Sequence, residues 1–306
     1  MVISNPLSPI PHHLTMDAAE IFKKVRKIEI KTRGLSNQIF SGQYHSVFKG
    51  RGMAFSEVRE YQYGDDIRNI DWNVTARFNH PYIKVFDEER ELTVMLLIDV
   101  SGSNQFGTRK TLKQEVITEI AAVLAFSAIQ NNDKVGVIFF SKQIEKFIPP
   151  KKGTSHILRI IRELIDFRPE HQGTNISEAL RYFTNVIKKR CTAFLLSDFL
   201  DKGFSDAIKI ANKKHDLIAV QIFDERETAL PDVGFIRARD AETDRLIWID
   251  SSDLRVRTQY NKWYTGHQAF LNDTFLRSGV DVARIRTDQD YIKPLMGLFK
   301  KRGARR

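Results

Sequence analysis

The stretch that decides the fold is TVMLLIDVSGS, residues 93–103, in which a nearly continuous apolar run ends in an aspartate followed by two serines. A run without polar alternation is typical of a strand buried on both faces, as in a parallel sheet. Asp99, Ser101 and Ser103 stand at alternate positions, so they can project the same way as the chain leaves the strand. The sequence therefore predicts a buried strand that delivers oxygen atoms to one edge of a sheet.

Strand and helix patterns alternate along the chain from this stretch onward. We predict strands over Thr93–Val100, Lys134–Phe140, Thr192–Ser197, Leu217–Phe223 and Val280–Arg286, a hairpin within Arg237–Ile249, and helices over Lys110–Asn131, Ser155–Phe167, Ile176–Lys189, Ser205–Lys214, Leu254–Arg277 and Tyr291–Lys301. Alternation of this kind predicts an α/β fold with a doubly wound, mainly parallel sheet. We assign this domain to residues 92–302.

The N-terminal part has a different pattern. Residues 1–16 contain Pro6, Pro9 and Pro11 and are expected to be disordered. Apolar residues at helical spacing predict a helix over Asp17–Thr32. Short β-prone runs broken by glycines follow, so we assign residues 17–91 to an N-terminal helix and a small β-rich subdomain.

Composition narrows the class of protein. The chain has 306 residues, of which 42% are hydrophobic and 28% charged, as in a globular protein. The longest apolar runs fall short of the ~18 residues that a membrane span needs, so we expect no stable membrane insertion. We expect no signal peptide, because the N-terminus has no apolar core region. A single cysteine, Cys191, cannot form an internal disulfide. The cytoplasm is the expected location.

Oxygen-bearing side chains follow three segments that are expected to meet at one edge of the sheet. Asp99, Ser101 and Ser103 follow the first strand, Thr174 lies in the loop before a helix, and Asp198 follows a later strand. Open parallel sheets place their sites at the carboxyl ends of the strands. Two carboxylates and three hydroxyls form an all-oxygen set that suits Mg²⁺, with Mn²⁺ or Ca²⁺ as possible substitutes, and suits zinc poorly. The alternative is that these residues only cap helices and turns.

The same residues resemble the metal-ion-dependent adhesion site of von Willebrand factor A domains. That site combines an Asp-x-Ser-x-Ser run with a threonine in a later loop and an aspartate after a further strand. The resemblance implies that Ser101, Ser103 and Thr174 bind the metal directly, and that Asp99 and Asp198 hold it mostly through water. It also implies a function in binding proteins rather than in catalysis.

Longer stretches are similar to a bacterial family catalogued as domain of unknown function 58. They are FSEVREYQYGDDIRNIDW (Phe55–Trp72), TARFNHPYIKVFDEERELTV (Thr75–Val94) and LLSDFL (Leu195–Leu200), and the match extends from about Ile28 to Asp288. The resemblance implies an adaptor or assembly partner of a MoxR-type AAA+ ATPase, with that ATPase or its client as the protein partner.

Two other functions stay open at this point. Asp99 at the end of the first strand is a feature of aspartate-nucleophile phosphatases, so a Mg²⁺-dependent phosphohydrolase is the first alternative, although Ser101 stands where those enzymes carry a second aspartate. A nucleic-acid binder is the second. It rests only on the net charge of +10 and on basic clusters over residues 23–33 and 300–306. No nucleic-acid motif accompanies the charge, so we expect no nucleic-acid partner.

Three further features have plain structural interpretations. Gly64–Trp72 is rich in charge, and we interpret it as a tight turn with Asp–Arg pairs and with Trp72 in the subdomain core. Asp87–Glu91 is interpreted as a solvated linker. For Cys191, the sequence places no histidine beside it as a base, so we do not expect a nucleophile.

Overall fold

The computed structural model describes residues 54–87, 92–105, 112–239 and 246–304, together with 2–4 and positions 23, 25, 26, 28 and 29. Contacts divide the chain into two compact units, Phe48–Leu92 and the remainder. Among the described residues, no helix has both the length and the apolar character that crossing a membrane would require.

The larger unit is built on a six-stranded sheet. Its strands are β4 (Thr93–Asp99), β5 (Lys134–Phe140), β6 (Ile144–Lys151), β7 (Thr192–Ser197), β8 (Asp216–Phe223) and β11 (Asp281–Arg286), in the order β11-β8-β7-β4-β5-β6. All neighbours pair in parallel except β6, which runs antiparallel to β5 at one edge. The predicted α/β class with a mainly parallel sheet is confirmed.

Helices cover both faces of this sheet and thereby bury its central strands on both sides. The helices are α2 (Lys113–Gln130), α3 (Thr154–Asp166), α4 (Ile176–Val186), α5 (Ser205–Lys214), α7 (Leu254–Ser278) and α8 (Ile292–Gly303). Met95 and Leu97 pack with residues of α4, α5 and α7. On the opposite face, Phe194 of β7 makes an edge contact with Phe299 of α8. Successive strand residues thus serve two separate cores.

Two elements of the larger unit differ from the prediction. Strand β6 was not predicted, because Pro149-Pro150 interrupts its pattern, and proline is tolerated in an edge strand. A single-turn helix, α6 (Glu225–Thr228), follows β8 and was also not predicted; its N-cap is Asp224. The other predicted helices and strands of this unit are present with ends within a few residues of those expected.

A second, antiparallel sheet contains β1 (Val2–Ser4), β9 (Phe235–Arg239) and β10 (Leu246–Asp250) in the order β1-β9-β10. Strands β9 and β10 confirm the predicted hairpin, whose expected turn lies outside the described residues. Residues 2–4 correct the expectation that 1–16 is disordered, because they pair with 237–239 and so gain a strand partner. The rest of 1–16 is outside the described residues.

This pairing bears on the domain boundaries. The smaller compact unit is Phe48–Leu92, whereas we predicted a subdomain over residues 17–91. Positions 23, 25, 26, 28 and 29 are helical, in line with the N-terminal helix, and the remainder of that helix is not among the described residues.

The smaller unit contains a two-stranded antiparallel sheet of β2 (Ala54–Glu60) and β3 (Tyr82–Asp87), with helix α1 (Trp72–Phe78) between them. The segment before α1 is a turn as expected, with Asp65 bonded to Arg59 and Asp66 at 3.6 Å from Arg68. Helix α1 was not predicted; Asp71 caps its first turn by accepting from Asn73 N and Val74 N. Trp72 is 70% exposed, so its placement in a core was wrong: as the first residue of the helix it points to solvent.

Candidate metal centre

Asp99, Ser101 and Ser103 form a compact turn at the carboxyl end of β4. The backbone N–H of Ser101 donates to Asp99 Oδ1 at 3.0 Å, and a short 3-10 turn follows over Gly102–Gln105. The Ser101 and Ser103 hydroxyl oxygens lie 3.1 Å apart. All three side chains are buried.

Asp198 joins this turn because β7 is the parallel neighbour of β4. Ser197, the last residue of β7, donates its hydroxyl to Asp99 Oδ2 at 2.6 Å. Asp198 is buried, accepts from Leu200 N through Oδ1 at 3.1 Å, and also accepts from the Ser103 hydroxyl. The prediction that Asp99 and Asp198 stand at neighbouring strand ends is confirmed.

Thr174 lies at the same edge of the sheet but outside this hydrogen-bonded cluster. Its loop is fixed on two sides: Asn175 N donates to the carbonyl of Ser141, just after β5, and Ile176 N donates to Asp201 Oδ2 at 2.8 Å. Asp201 is three residues beyond Asp198. The loop of Thr174 is thereby tied to the loop of Asp198, and the Thr174 side chain is half-buried.

The cluster concentrates negative charge away from water. Burial, together with the charge of Asp198, raises the pKa of Asp99 to about 7, against hydrogen bonds from Ser101 and Ser197 that favour its ionised form. A positive charge nearby would relieve the repulsion between the carboxylates of Asp99 and Asp198. The donor set, two carboxylates and two adjacent hydroxyls, fits a hard divalent cation.

A buried lysine also belongs to this site and was not predicted. Lys113, the first residue of α2, is fully buried, and its Nζ lies 3.0 Å from Asp198 Oδ2 and 2.5 Å from Glu227 Oε1. Burial alone would lower the pKa of Lys113, but the two carboxylates outweigh it and raise that pKa above its usual value. Burial opposes ionisation of Asp198 as well, yet Lys113 lowers its pKa. The sequence gives no local signal for this residue, because Lys113 stands between Leu112 and Gln114 at the polar start of a helix.

Another group of possible ligands lies elsewhere, in the side chains of Glu145, Glu170 and His171. The Glu145 carboxylate already accepts from Glu170 N and His171 N, both at 3.1 Å, and from the Ser141 hydroxyl. These bonds outweigh its burial and lower the pKa of Glu145. The carboxylate therefore has a structural function, because it pins residues 170–171 to the β5–β6 turn.

Cys191 does have a histidine beside it, contrary to the prediction. Its Sγ lies 3.4 Å from Nδ1 of His215, and both residues are buried. Burial raises the pKa of the Cys191 thiol to about 12, so the thiolate that a nucleophile needs does not form at neutral pH. The expectation that Cys191 is not a nucleophile thus stands for a different reason.

The C-terminal basic cluster is partly neutralised within the fold. Arg302 of α8 binds both carboxylate oxygens of Asp216, at 2.5 and 2.6 Å, and Asp281 at 3.1 Å. Paired in this way, Arg302 is not available to a phosphate backbone, so the charge of this cluster is a weaker argument for nucleic-acid binding than the sequence suggested.

Comparison with known proteins gives extensive matches to uncharacterized mycobacterial proteins. An uncharacterized protein of Mycobacterium tuberculosis is 26% identical over 294 residues, 94% of this chain and 92% of its own length. Among solved structures, BatB from Bacteroides thetaiotaomicron is similar over 70% of this chain and 99% of its own, with 19% identity and a TM-score of 0.44. A mussel-byssus proximal thread matrix protein with a zinc-occupied metal-ion-dependent adhesion site is similar over 43% of this chain and 38% of its own, with 17% identity and a TM-score of 0.35.

The match to a family model covers the site as well as most of the fold. The model is described as "Protein of unknown function DUF58" and matches residues 57–270, which include Asp99, Thr174 and Asp198. With more than two thirds of its length matched, the chain belongs to the DUF58 family.

Proposed function

We propose that this protein is a metal-ion-dependent protein-interaction module, in which Asp99, Ser101, Ser103, Thr174 and Asp198 hold a divalent cation. The observation that carries the proposal is the pair of buried carboxylates at neighbouring strand ends. Burial, together with the charge of Asp198, raises the pKa of Asp99 to about 7. Buried charges of one sign need a partner of the other, and oxygen ligands favour Mg²⁺, with Mn²⁺ or Ca²⁺ as substitutes.

The bound cation would supply an electrophilic centre that accepts a carboxylate from another protein. Neutral hydroxyls transfer little charge to a metal, so an ion held by Ser101, Ser103 and Thr174 would keep its attraction for an anionic ligand. Thr174 is half-buried whereas the other four residues are buried, so its side of the site is where we expect a partner to approach. By family resemblance we propose that this partner is a MoxR-type AAA+ ATPase or its client, in the cytoplasm.

A phosphohydrolase is the less favoured alternative. A nucleophilic aspartate must present an ionised, accessible oxygen to phosphorus. Asp99 is buried, its pKa is raised to about 7, and its two oxygens already accept from Ser101 N and Ser197. These contacts suit a residue that orients ligands better than one that attacks a phosphate.

The test is binding of the purified chain to a MoxR-type ATPase in Mg²⁺ and again in EDTA. We expect EDTA to abolish binding and Mg²⁺ to restore it, because the partner carboxylate would have no cation to bind. Thr174→Ala should weaken binding by about tenfold or more, since it removes a ligand from the accessible side of the site. Thr174 is preferable to the buried serines because its loop is held by backbone bonds of Asn175 and Ile176.

Asp206→Ala is the matched control, because Asp206 is an exposed carboxylate in the first turn of α5. It should bind as the wild type does. Equal binding in EDTA and Mg²⁺ would contradict the proposal, and Mg²⁺-dependent phosphatase activity lost in Asp99→Asn would favour the alternative.

A further inference from the structure

Lys113 carries a charge in the interior of the protein where a lysine is almost never left unpaired. Its ammonium lies between two carboxylates that come from distant elements: Asp198 at the end of β7, 85 residues away, and Glu227 in α6, 114 residues away. Nζ is within hydrogen-bond distance of both, at 3.0 and 2.5 Å. A small displacement would shift the ammonium from one carboxylate to the other.

When all of its carboxyl groups are ionised, this cluster carries more negative charge than Lys113 can balance. Asp99, Asp198 and Glu227 carry three negative charges when ionised, against the single positive charge of Lys113. The excess of two negative charges is the charge of one divalent cation. Asp198 belongs both to the proposed metal site and to the ion pairs of Lys113. Its Oδ2 binds Lys113, and its Oδ1 accepts from Leu200 N. A cation that used Asp198 would meet the ammonium on the same carboxylate.

Glu227 is built to receive the ammonium. Its Oε2 accepts from the backbone N–H of Asp224 at 2.9 Å, in the capping box of α6, which leaves Oε1 directed at Lys113. The backbone carbonyl of Glu227 accepts from the hydroxyl of Tyr260 in α7, also at 2.9 Å. The carboxylate is therefore held by the N-cap residue of its own helix, and the backbone of Glu227 is held by α7.

We propose that Lys113 is the built-in counter-ion of the metal site, which competes with a divalent cation for Asp198 and rests on Glu227 when the cation is bound. The inference rests on the proposed function, since it concerns the same carboxylates. The affinity for metal then depends on whether the Lys113 ammonium lies closer to Asp198 or to Glu227. Residues that touch Glu227, in α6 and α7, would then adjust that affinity without touching the ion.

The experiment is calorimetric titration of the full chain with Mn²⁺ in the wild type, Lys113→Met and Glu227→Gln. Removal of the competing ammonium should tighten Mn²⁺ binding at least ~10-fold, because two cations that share one buried carboxylate repel each other strongly. Glu227→Gln should act the opposite way and weaken binding ~3-fold or more: Asp198 becomes the sole anionic partner of Lys113, and the cluster loses a negative charge.

One lysine and one glutamate outside the site serve as matched controls. Lys146→Met removes a lysine from its ion pair with Glu163, and Glu225→Gln removes the more exposed glutamate of α6. Both should leave Mn²⁺ affinity within about twofold of the wild type, because long-range effects of partly exposed charges are screened. Opposite shifts in Lys113→Met and Glu227→Gln, with neither control shifted, would support the inference.

The two proposals fail in different ways. If the wild type binds Mn²⁺ and Asp99→Ala does not, but Lys113→Met and Glu227→Gln keep the wild-type affinity, then Lys113 is only a structural ion-pair partner and the inference is overturned. If none of these proteins binds Mn²⁺, the metal site itself is overturned. Should Lys113→Met fail to fold, Glu227→Gln decides alone: unchanged or tighter binding overturns the inference.

Discussion

Lys113 and Glu145 are two buried charges of opposite sign, and their partners differ in kind. Lys113 is neutralised by the carboxylates of Asp198 and Glu227, whereas Glu145 is stabilised by hydrogen bonds from two backbone N–H groups and a hydroxyl. In both cases the partners offset the cost of removing a charge from water. The difference is that a charged side chain can move between two charged partners, whereas hydrogen bonds from the backbone keep a carboxylate in one position. Lys113 is therefore suited to a change of state and Glu145 to a fixed turn.

Glu145→Gln should destabilise the protein by about 1–3 kcal/mol at neutral pH, because an amide cannot accept all the bonds that the carboxylate accepts. The folded protein lowers the pKa of Glu145 below its usual 4.5. Its contribution is thus fully present above pH 4.5 and is lost as pH falls through the lowered value. Urea unfolding at a series of pH values should show the difference from wild type shrinking in acid.

Glu163→Gln is the control for this measurement. Glu163 binds Lys146 at 2.5 Å in a partly exposed pair, and removing its charge should cost at most about 1 kcal/mol. A Glu145 effect no larger than that of Glu163, or one that persists unchanged in acid, would show that the backbone bonds of Glu145 contribute little.

At the scale of elements, the sheet brings β5 close to both of its neighbours at Gly136. A Cβ at this position would lie 2.7 Å from the sulfur of Met95 in β4 and 2.9 Å from the backbone nitrogen of Pro150 in β6. Met95 can adjust its side chain, but the backbone at Pro150 cannot move without disturbing the edge pairing. Only glycine therefore fits between these strands.

Gly136→Ala should lower the free energy of unfolding by about 1–3 kcal/mol, the range expected for overpacking. Gly266→Ala is the control in a different element: it lies within helix α7 and an added Cβ meets nothing within 4 Å. That change should be neutral or stabilise by up to about 1 kcal/mol, since alanine favours a helix. The melting temperature should fall in Gly136→Ala and stay unchanged or rise in Gly266→Ala, and a neutral Gly136→Ala would mean that β6 moves aside at little cost.

The sequence predicts best those features of the fold that depend on local patterns of apolar and polar residues. The buried strand β4 ends in Asp99, and β7 is followed directly by Asp198. The rule that parallel strands align their carboxyl ends is enough to place Asp99 beside Asp198. Strand β6 was not predicted because Pro149-Pro150 interrupts its strand pattern. Helix α1 was not predicted because its short sequence has no clear apolar period. Lys113 escaped because its partners are 85 and 114 residues away, and no local pattern records such a pairing.

At the scale of the whole molecule, the two compact units divide the chain unequally. The larger unit contains every residue of the proposed metal site, since Phe48–Leu92 forms the smaller one. A ligand that binds only the folded larger unit stabilises that unit by mass action and leaves the intrinsic stability of the other unchanged. Thermal unfolding should therefore be followed with a probe of the larger unit, such as protection of the buried Cys191 from a thiol reagent.

Metal binding should be coupled to the stability of the larger unit. Mg²⁺ or Mn²⁺ at about 100 times its dissociation constant should stabilise the larger unit by about 2.7 kcal/mol. For a unit of this size that corresponds to a rise in melting temperature of roughly 5–10 °C. Asp99→Ala should abolish the rise, because the ion loses the carboxylate whose repulsion with Asp198 it relieves. Glu170→Gln, which removes a carboxylate from the other group of possible ligands, should leave it intact. The reverse result, with the rise kept in Asp99→Ala and lost in Glu170→Gln, would place the ion near His171 instead.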